Sequence, residues 1–412
     1  MSNADYDVIV VGAGPAGSIA ALVLARAGAR VALVDKAPIG RDKACGDLIG
    51  PRGVRLLDDL GLGVPDAPAV GDMIVVGPLG RQVLLPARAG KTYPGHAIVV
   101  PRAQFDSKLR TAALDAGAVG LDARVGSVDG GRVGLDGHGR IDADFVIGAD
   151  GATSVTARTT ALADPSRALW GFAVRGYLPV EVALPVISLW NDQPGRAFPG
   201  YGWLFPGPDG ANLGLGLGLG HSRLESRRAQ QQLDAFCAHL VRIGMMEWPP
   251  KSPARQLGGW LKMGIVGTRP AAGNVLLVGD AAGLVNPLQG EGISQALASG
   301  QAAALAILGH PTTAAESYRR WVDATYGRWA SVTAPVHSVL VRNPRHVSRL
   351  AAAITRPSLG SLVASTWAIY WNDLTDGAVR TPAVVAANAI QHVGRVATVG
   401  STLRRSLRRD LA

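Results

Sequence analysis

The stretch Asp7 to Asp35, DVIVVGAGPAGSIAALVLARAGARVALVD, constrains the fold of this chain more than any other. An apolar run with strand propensity ends at Val11, GAGPAG follows, then the helical signal SIAALVLARAGA, then a second strand closing on Asp35. Strand, glycine turn, helix and strand make one βαβ unit. The three glycines differ in what they permit. Gly12 allows the tight turn, Gly14 lets backbone approach a pyrophosphate, and Gly17 allows close packing of the helix. The helix N-terminus would face phosphate charge, and the Asp35 carboxylate, at the spacing dinucleotide binding requires, would accept from ribose hydroxyls.

The 412 residues give room for two or three domains' worth of core, and 48% apolar with 17% charged residues describes a globular chain. Two cysteines, Cys45 and Cys237, without CxxC or Cys/His spacing, exclude a disulfide framework and make a structural metal unexpected; they fit a reducing cytosol. The first apolar run follows two Asp and is interrupted by glycines, so neither a signal peptide nor a spanning helix is expected. The net charge of +10 gathers toward the end, where Arg404, Arg405, Arg408 and Arg409 alternate with Leu403, Leu407 and Leu411 at helical spacing. Such a basic amphipathic end suits an anionic membrane surface, with a solvated terminal helix as the plain alternative. No zinc spacing, helix-turn-helix pattern or RNA-stacking motif accompanies the charge, so no nucleic-acid partner is expected.

Short alternating runs between 72 and 100 predict antiparallel strands, RAQFDSKLRTAALDAG a helix, and GRIDADFVIGADG a buried strand ending at Asp150 and Gly151. The section from about 168 to 262 is again strand-rich, and NVLLVGDAAGLVNPLQGEGISQALASG reads as strand, glycine-punctuated loop and helix. From Tyr318 onward the signals are helical, with breaks expected at Pro335, Pro344, Pro357 and Pro382. The run ANLGLGLGLG, Ala211 to Gly220, is open at first to three readings: a phosphate loop, a flexible filler, or a strand with one bare face.

Two later segments say which dinucleotide. Gly279 and Asp280 at a strand end resemble the GD motif of the flavoprotein monooxygenase superfamily, in which the Asp accepts from the ribityl chain of FAD. The loop through Pro287, Gly290 and Gly292 to Ile293 would run backbone N–H groups past the flavin into a helix N-terminus. GADG at Gly148 to Gly151 resembles the family's middle DG motif, and Arg102 the arginine its members place near the flavin. Within the superfamily, KACGDLIGPRG (Lys43 to Gly53) and PGYGWLFP (Pro199 to Pro206) resemble the geranylgeranyl reductase family. Asp47 stands where that family's Cys-Gly-Gly segment has its second glycine, and the leading proline of its Tyr-x-Trp-x-Phe-Pro pattern is Phe198, with Pro199 one place late.

The resemblance implies an α/β chain: a Rossmann-like FAD-binding domain (residues 1–70, 96–165 and 265–320), an interleaved antiparallel-sheet substrate domain (71–95 and 166–264), and a helical C-terminal region with a basic tail (321–412). FAD would be held by Gly12, Gly14, Pro15, Ala16, Gly17, Asp35, Lys36, Arg41, Ala44, Cys45, Gly46, Arg102, Val125, Asp150, Gly151, Gly279, Asp280, Pro287, Gly290, Gly292 and Ile293. Cys45, Asp47, Tyr201 and Trp203 are the catalytic candidates, with Cys45 beside the flavin, packing on its ring or assisting protonation of an alkene carbon. Tyr201, Trp203 and Phe205 share one face of a strand, an aromatic wall for a lipophilic substrate, with an ordinary sheet core as the alternative. The Pro-Asp-Gly turn after them makes the Leu-Gly run their hairpin partner, so that Gly214 and Gly216 leave room for bulky groups of the cavity or for the aromatic rings.

The implied activity is FAD-dependent reduction of carbon-carbon double bonds in an isoprenoid or similar lipophilic substrate, with NADPH or a protein as electron donor. A monooxygenase or halogenase-like enzyme of the same fold is one alternative, and a flavin electron carrier to a quinone another. A cytoplasmic protein, peripheral to the membrane, is expected.

Overall fold

The computed structural model describes residues 4–356, 358 and 359, apart from 88, 90–92, 194–195, 198–199, 209, 221–225, 248–252 and 254–255. The expected breaks at Pro357 and Pro382, the basic tail, Phe198 and Pro199 all lie outside the described residues.

In chain order come β1 (Tyr6–Val11), α1 (Pro15–Arg26), β2 (Val31–Asp35), the hairpin β3 (Met73–Val76) and β4 (Gln82–Leu85), α2 (Arg102–Asp115), β5 (Val119–Asp122) and β6 (Gly139–Gly148). There follow β7 (Leu169–Leu178), β8 (Val186–Ser188), β9 (Gly200–Gly207), β10 (Gly210–Gly220), α3 (Ser226–Arg242), β11 (Leu257–Met263), β12 (Val275–Leu277), α4 (Ile293–Gly309), α5 (Arg328–Arg342) and α6 (Pro344–Ile354).

The strands sort into two large sheets. One has a parallel core in the order β12-β6-β1-β2-β5, and its central strands are apolar on both faces because α1 and other helices cover it. Helix α4 crosses α1 so closely that a Cβ on Gly300 would meet the Ala16 carbonyl oxygen at 2.2 Å. The other sheet runs β11-β7-β10-β9-β8-β3-β4. It is antiparallel except where β8 lies parallel to β3. The β3–β4 hairpin, early in the chain, thus joins strands from beyond residue 168.

The Leu-Gly run is strand β10, not a loop. Leu213, Leu215, Leu217 and Leu219 are buried together with Leu233, Phe236 and Leu240 of α3. Gly214 lies opposite Trp203 and Gly216 opposite Tyr201 in the β9–β10 register. Side chains added at Gly214 and Gly218 have no room: a Cβ on Gly214 would meet the Trp203 ring at 2.1 Å, and one on Gly218 would meet His337 of α5 at 2.4 Å.

Two of the helical boundaries bear on the expected proline breaks. Pro344 opens α6 at its first position, where a missing N–H costs nothing. Pro335, by contrast, does not break the helix; α5 runs through it. One backbone bond is forfeited there, and burial of Thr333, Ala334 and His337 carries the helix past it.

Candidate active site

Both sheets border one cavity of about 890 Å³. At its first end lies the turn after β1. Gly12 has φ +100°, and a Cβ there would meet the Ala149 carbonyl oxygen at 2.4 Å. Gly17 is the contact between helix and turn, since a Cβ would lie 1.8 Å from the Gly12 oxygen. Nothing stands within 4 Å of a Cβ on Gly14, which lines the cavity with its backbone. The N-terminus of α1 has no side-chain cap, so its first N–H groups are available to an anion.

Asp35 braces this turn. Its Oδ2 accepts from the Ala13 N–H at 2.7 Å and its Oδ1 from the Ala37 N–H at 2.8 Å, which leaves lone pairs for a ribose hydroxyl. Asp150 has a similar double role: it accepts from Ser154 Oγ and the Thr156 N–H while also bordering the cavity. Lys36, Arg41, Ala44, Gly46, Val125 and Gly151 line the same end.

Arg102, at the start of α2, is buried and makes a bidentate pair with Asp106 at 2.7 and 2.8 Å. It also reaches the Cys45 thiol. Burial pushes that thiol up and the guanidinium pulls against it. Gly279 and Asp280 follow β12, and Lys43 Nζ stands 3.6 Å from the Asp280 carboxylate. Pro287, Gly290, Gly292 and Ile293 continue the wall into the N-terminus of α4, where the Glu291 side chain accepts from the Ser294 N–H at 2.8 Å.

At the second end Tyr201, Trp203 and Phe205 do share one face and all line the cavity. The Tyr201 hydroxyl donates to the Gln289 carbonyl, which ties the aromatic strand to the loop before α4. Trp203 Nε1 donates to Asn212 Oδ1 at 2.9 Å. Asn212 Nδ2 in turn donates to the Cys45 carbonyl and to Asp47 Oδ2, each at 2.8 Å. Tyr177 donates to the same Asp47 oxygen at 2.5 Å, and the Arg175 guanidinium lies over the Tyr177 ring, 4.3 Å from its centroid.

Asp47 lies in this network behind the wall, outside the cavity lining. Its φ of +62° is the left-handed conformation that glycine adopts most readily and Asp tolerates. Burial pushes its carboxyl up, with Tyr177 and Asn212 acting in the opposite direction. Gly214 is likewise behind the lining, covered by the Trp203 ring, whereas Gly216 borders the cavity.

Several participants escaped the sequence reading. Asn212 is the single polar side chain in β10, and that isolation was its signal. Lys262 is the lone charge in LGGWLKM, yet it is 2% exposed and donates to the Ala281 carbonyl beneath Asp280. Burial pushes it down to about 8 while Asp150 and Asp280 oppose that shift. His337 reaches the wall from α5, hydrogen-bonded to the Pro287 carbonyl and held by burial at about 4, hence neutral at pH 7.

The glycine cradle, the uncapped N-terminus of α1, and the charges along the first end of the cavity fit a dinucleotide with a ring system. The chain matches the family model described as FAD binding domain over residues 5–69. FAD is the cofactor, and this family match, together with the reductase relatives of the chain, defines an FAD-dependent oxidoreductase. The menaquinone reductase of Mycolicibacterium smegmatis is 34% identical, over 80% of this chain and 83% of its own. The geranylgeranyl diphosphate reductase of Rhodobacter capsulatus is 33% identical, over 74% of this chain and 75% of its own. Among solved structures, a geranylgeranyl bacteriochlorophyll reductase-like protein from Thermoplasma acidophilum superposes with TM-score 0.69 at 23% identity, covering 93% of this chain and 96% of that one. A flavin-dependent brominase reaches the same TM-score at 17% identity, covering 95% and 99%, which is a likeness of fold alone. The chain belongs to the geranylgeranyl reductase family of FAD-dependent oxidoreductases.

Proposed function

We propose that the protein reduces carbon-carbon double bonds in the chain of an isoprenoid or isoprenoid-quinone lipid. The observation that carries this reading is the change of material along one cavity. Charged side chains line only the end formed by residues 35–43, 102, 124, 150–158 and 280; the lining from 189–218, 257–263 and 337–347 has none among the described residues. An apolar chain loses nothing by entering that second end, whereas a charged one would shed its water without a partner.

FAD would be held by the turn at Gly12, Gly14 and Gly17, by Asp35 and Arg102, and by the run from Gly279 to Ile293. When bound and reduced, by NADPH or a protein donor, it supplies the hydride. The chain's own residues do the rest. Trp203, fixed by Asn212, and Tyr201, fixed on Gln289, keep the wall in one rotamer and so restrict how an alkene can lie. Cys45 Sγ, whose proton burial retains, stands at the junction of the two ends and can give that proton to the second alkene carbon. We assign the parallel sheet with its helices to cofactor binding and the β11-to-β4 sheet to the substrate. The basic segment from Arg404 to Arg409 would add attraction to anionic lipid.

The test is anaerobic. The flavin is reduced with dithionite, geranylgeranyl compounds or menaquinone are added, and reoxidation is followed with mass spectrometry of the lipid. Reoxidation with a product heavier by two hydrogens supports the reading; no reoxidation until oxygen is admitted overturns it. Cys45→Ser with unchanged turnover and flavin spectrum would remove Cys45 from its role.

A further inference from the structure

Helices α5 and α6 have two contrasting sides. Inward, His337, Leu340 and Val341 of α5 and Val347 of α6 line the second end of the cavity. Outward, the exposed described side chains from 331 to 359, the last three of them just beyond the end of α6, are two serines, three aliphatics and four arginines. The aliphatics are Val339, Leu350 and Leu359, at 58%, 50% and 40% exposure. The arginines are Arg342, Arg345, Arg349 and Arg356, and none makes an ion pair among the described residues. No Asp or Glu occurs anywhere from 324 to 372.

Single exposed aliphatics are ordinary on protein surfaces. Their combination with arginines and with a complete lack of acids is not, because a solvated helix face normally mixes both signs. No described helix is long and apolar enough to cross a membrane. A basic face carrying large aliphatics suits the headgroup boundary of an anionic leaflet.

We propose that the outer face of α5 and α6 docks on an anionic lipid bilayer, so that the helices whose inner side lines the substrate cavity are the ones in contact with the lipid reservoir. The proposal rests on the lipid-substrate reading and concerns described helices, apart from the basic tail. A lipid chain then moves from bilayer to cavity across the thickness of one helical layer.

The test uses the full chain with its tail. Flotation with phosphatidylcholine vesicles, with and without phosphatidylglycerol, is compared for the wild type, Val339→Asp/Leu350→Asp and Arg345→Gln/Arg349→Gln. The wild type should float with the anionic vesicles only. The aspartate pair should lose about tenfold or more in partition, and the glutamine pair on the order of tenfold with a weaker salt dependence. Melting temperature and flavin content of the variants should match the wild type. Turnover of isoprenoid held in vesicles should fall with partition, while turnover of a detergent-dispersed short isoprenoid is kept. A wild type that does not float, variants that float undiminished, or variants that lose only self-association by size exclusion each overturn the docking face. Failure of the wild type to reduce the detergent-dispersed substrate overturns the functional reading instead, and flotation still decides the docking.

Discussion

At its first end the cavity presents main chain and charge: Gly12, Gly14, the open N-terminus of α1, Arg102, Asp280. At its second end it presents rings and branched chains laid over the bare face of a strand. Phosphate is recognised by backbone N–H groups, which requires glycine at fixed positions within a few residues. A lipophilic chain is recognised by apolar area, which almost any set of distant strands can supply if their register is right. The first end is therefore specified by short-range sequence and the second by long-range pairing.

Four variants would break or sharpen that contrast. Gly17→Val should have the largest effect: its Cβ would sit 1.8 Å from the Gly12 oxygen, both groups belong to backbone, and neither can yield. A loss of about 4 kcal/mol or more is expected, read as loss of flavin binding and collapse of the urea midpoint. Gly214→Val should spare the first end. The new side chain displaces Trp203, so flavin content should stay near one per chain while turnover falls on the order of a hundredfold. Equal loss of flavin in both variants would contradict two separately built ends.

Lys262→Met tests the charge beneath the first end through pH. Between about 8 and 10.5 the folded lysine gives up a proton that the unfolded chain keeps. The wild type should therefore gain stability on the Met variant by about 3 kcal/mol as pH rises through that range, and lose it again as pH falls from about 10.5 to about 8. Urea titrations at neutral and alkaline pH read the difference, and a constant gap between the two proteins would refute it. Asn212→Leu should be the mildest, about 2 kcal/mol, since it strips partners from Trp203 Nε1 and the buried Asp47 carboxylate. Its thermal midpoint should fall with flavin content unchanged.

The same contrast governs what could be read in advance. The βαβ unit, the GD turn, the middle DG segment and the common face of Tyr201, Trp203 and Phe205 were legible because each is a local periodicity or a backbone requirement. The hairpin of β9 and β10 was legible for the same reason. Asn212 joins Cys45 and Asp47 across 167 and 165 residues, so its role depends on where the sheet sets one segment against another. Lys262 and His337 look like ordinary surface residues until Asp280 and the bare face of β10 are placed beside them. Pro335 does not end α5, against its local propensity, because burial of the turn around it outweighs the lost backbone bond.

The alternation of Leu and Gly in β10 has a consequence for assembly. Slipping this strand by one residue against its neighbours would turn four leucines toward Trp203, Tyr201 and His337, where even one methyl collides at Trp203 and His337, and would empty the pocket under Phe236. The misaligned strand is rejected at two points of its bare face, Gly214 and Gly218. The sequence thus proofreads its own alignment in the middle of the second sheet, before cofactor or lipid is there to reward the correct answer.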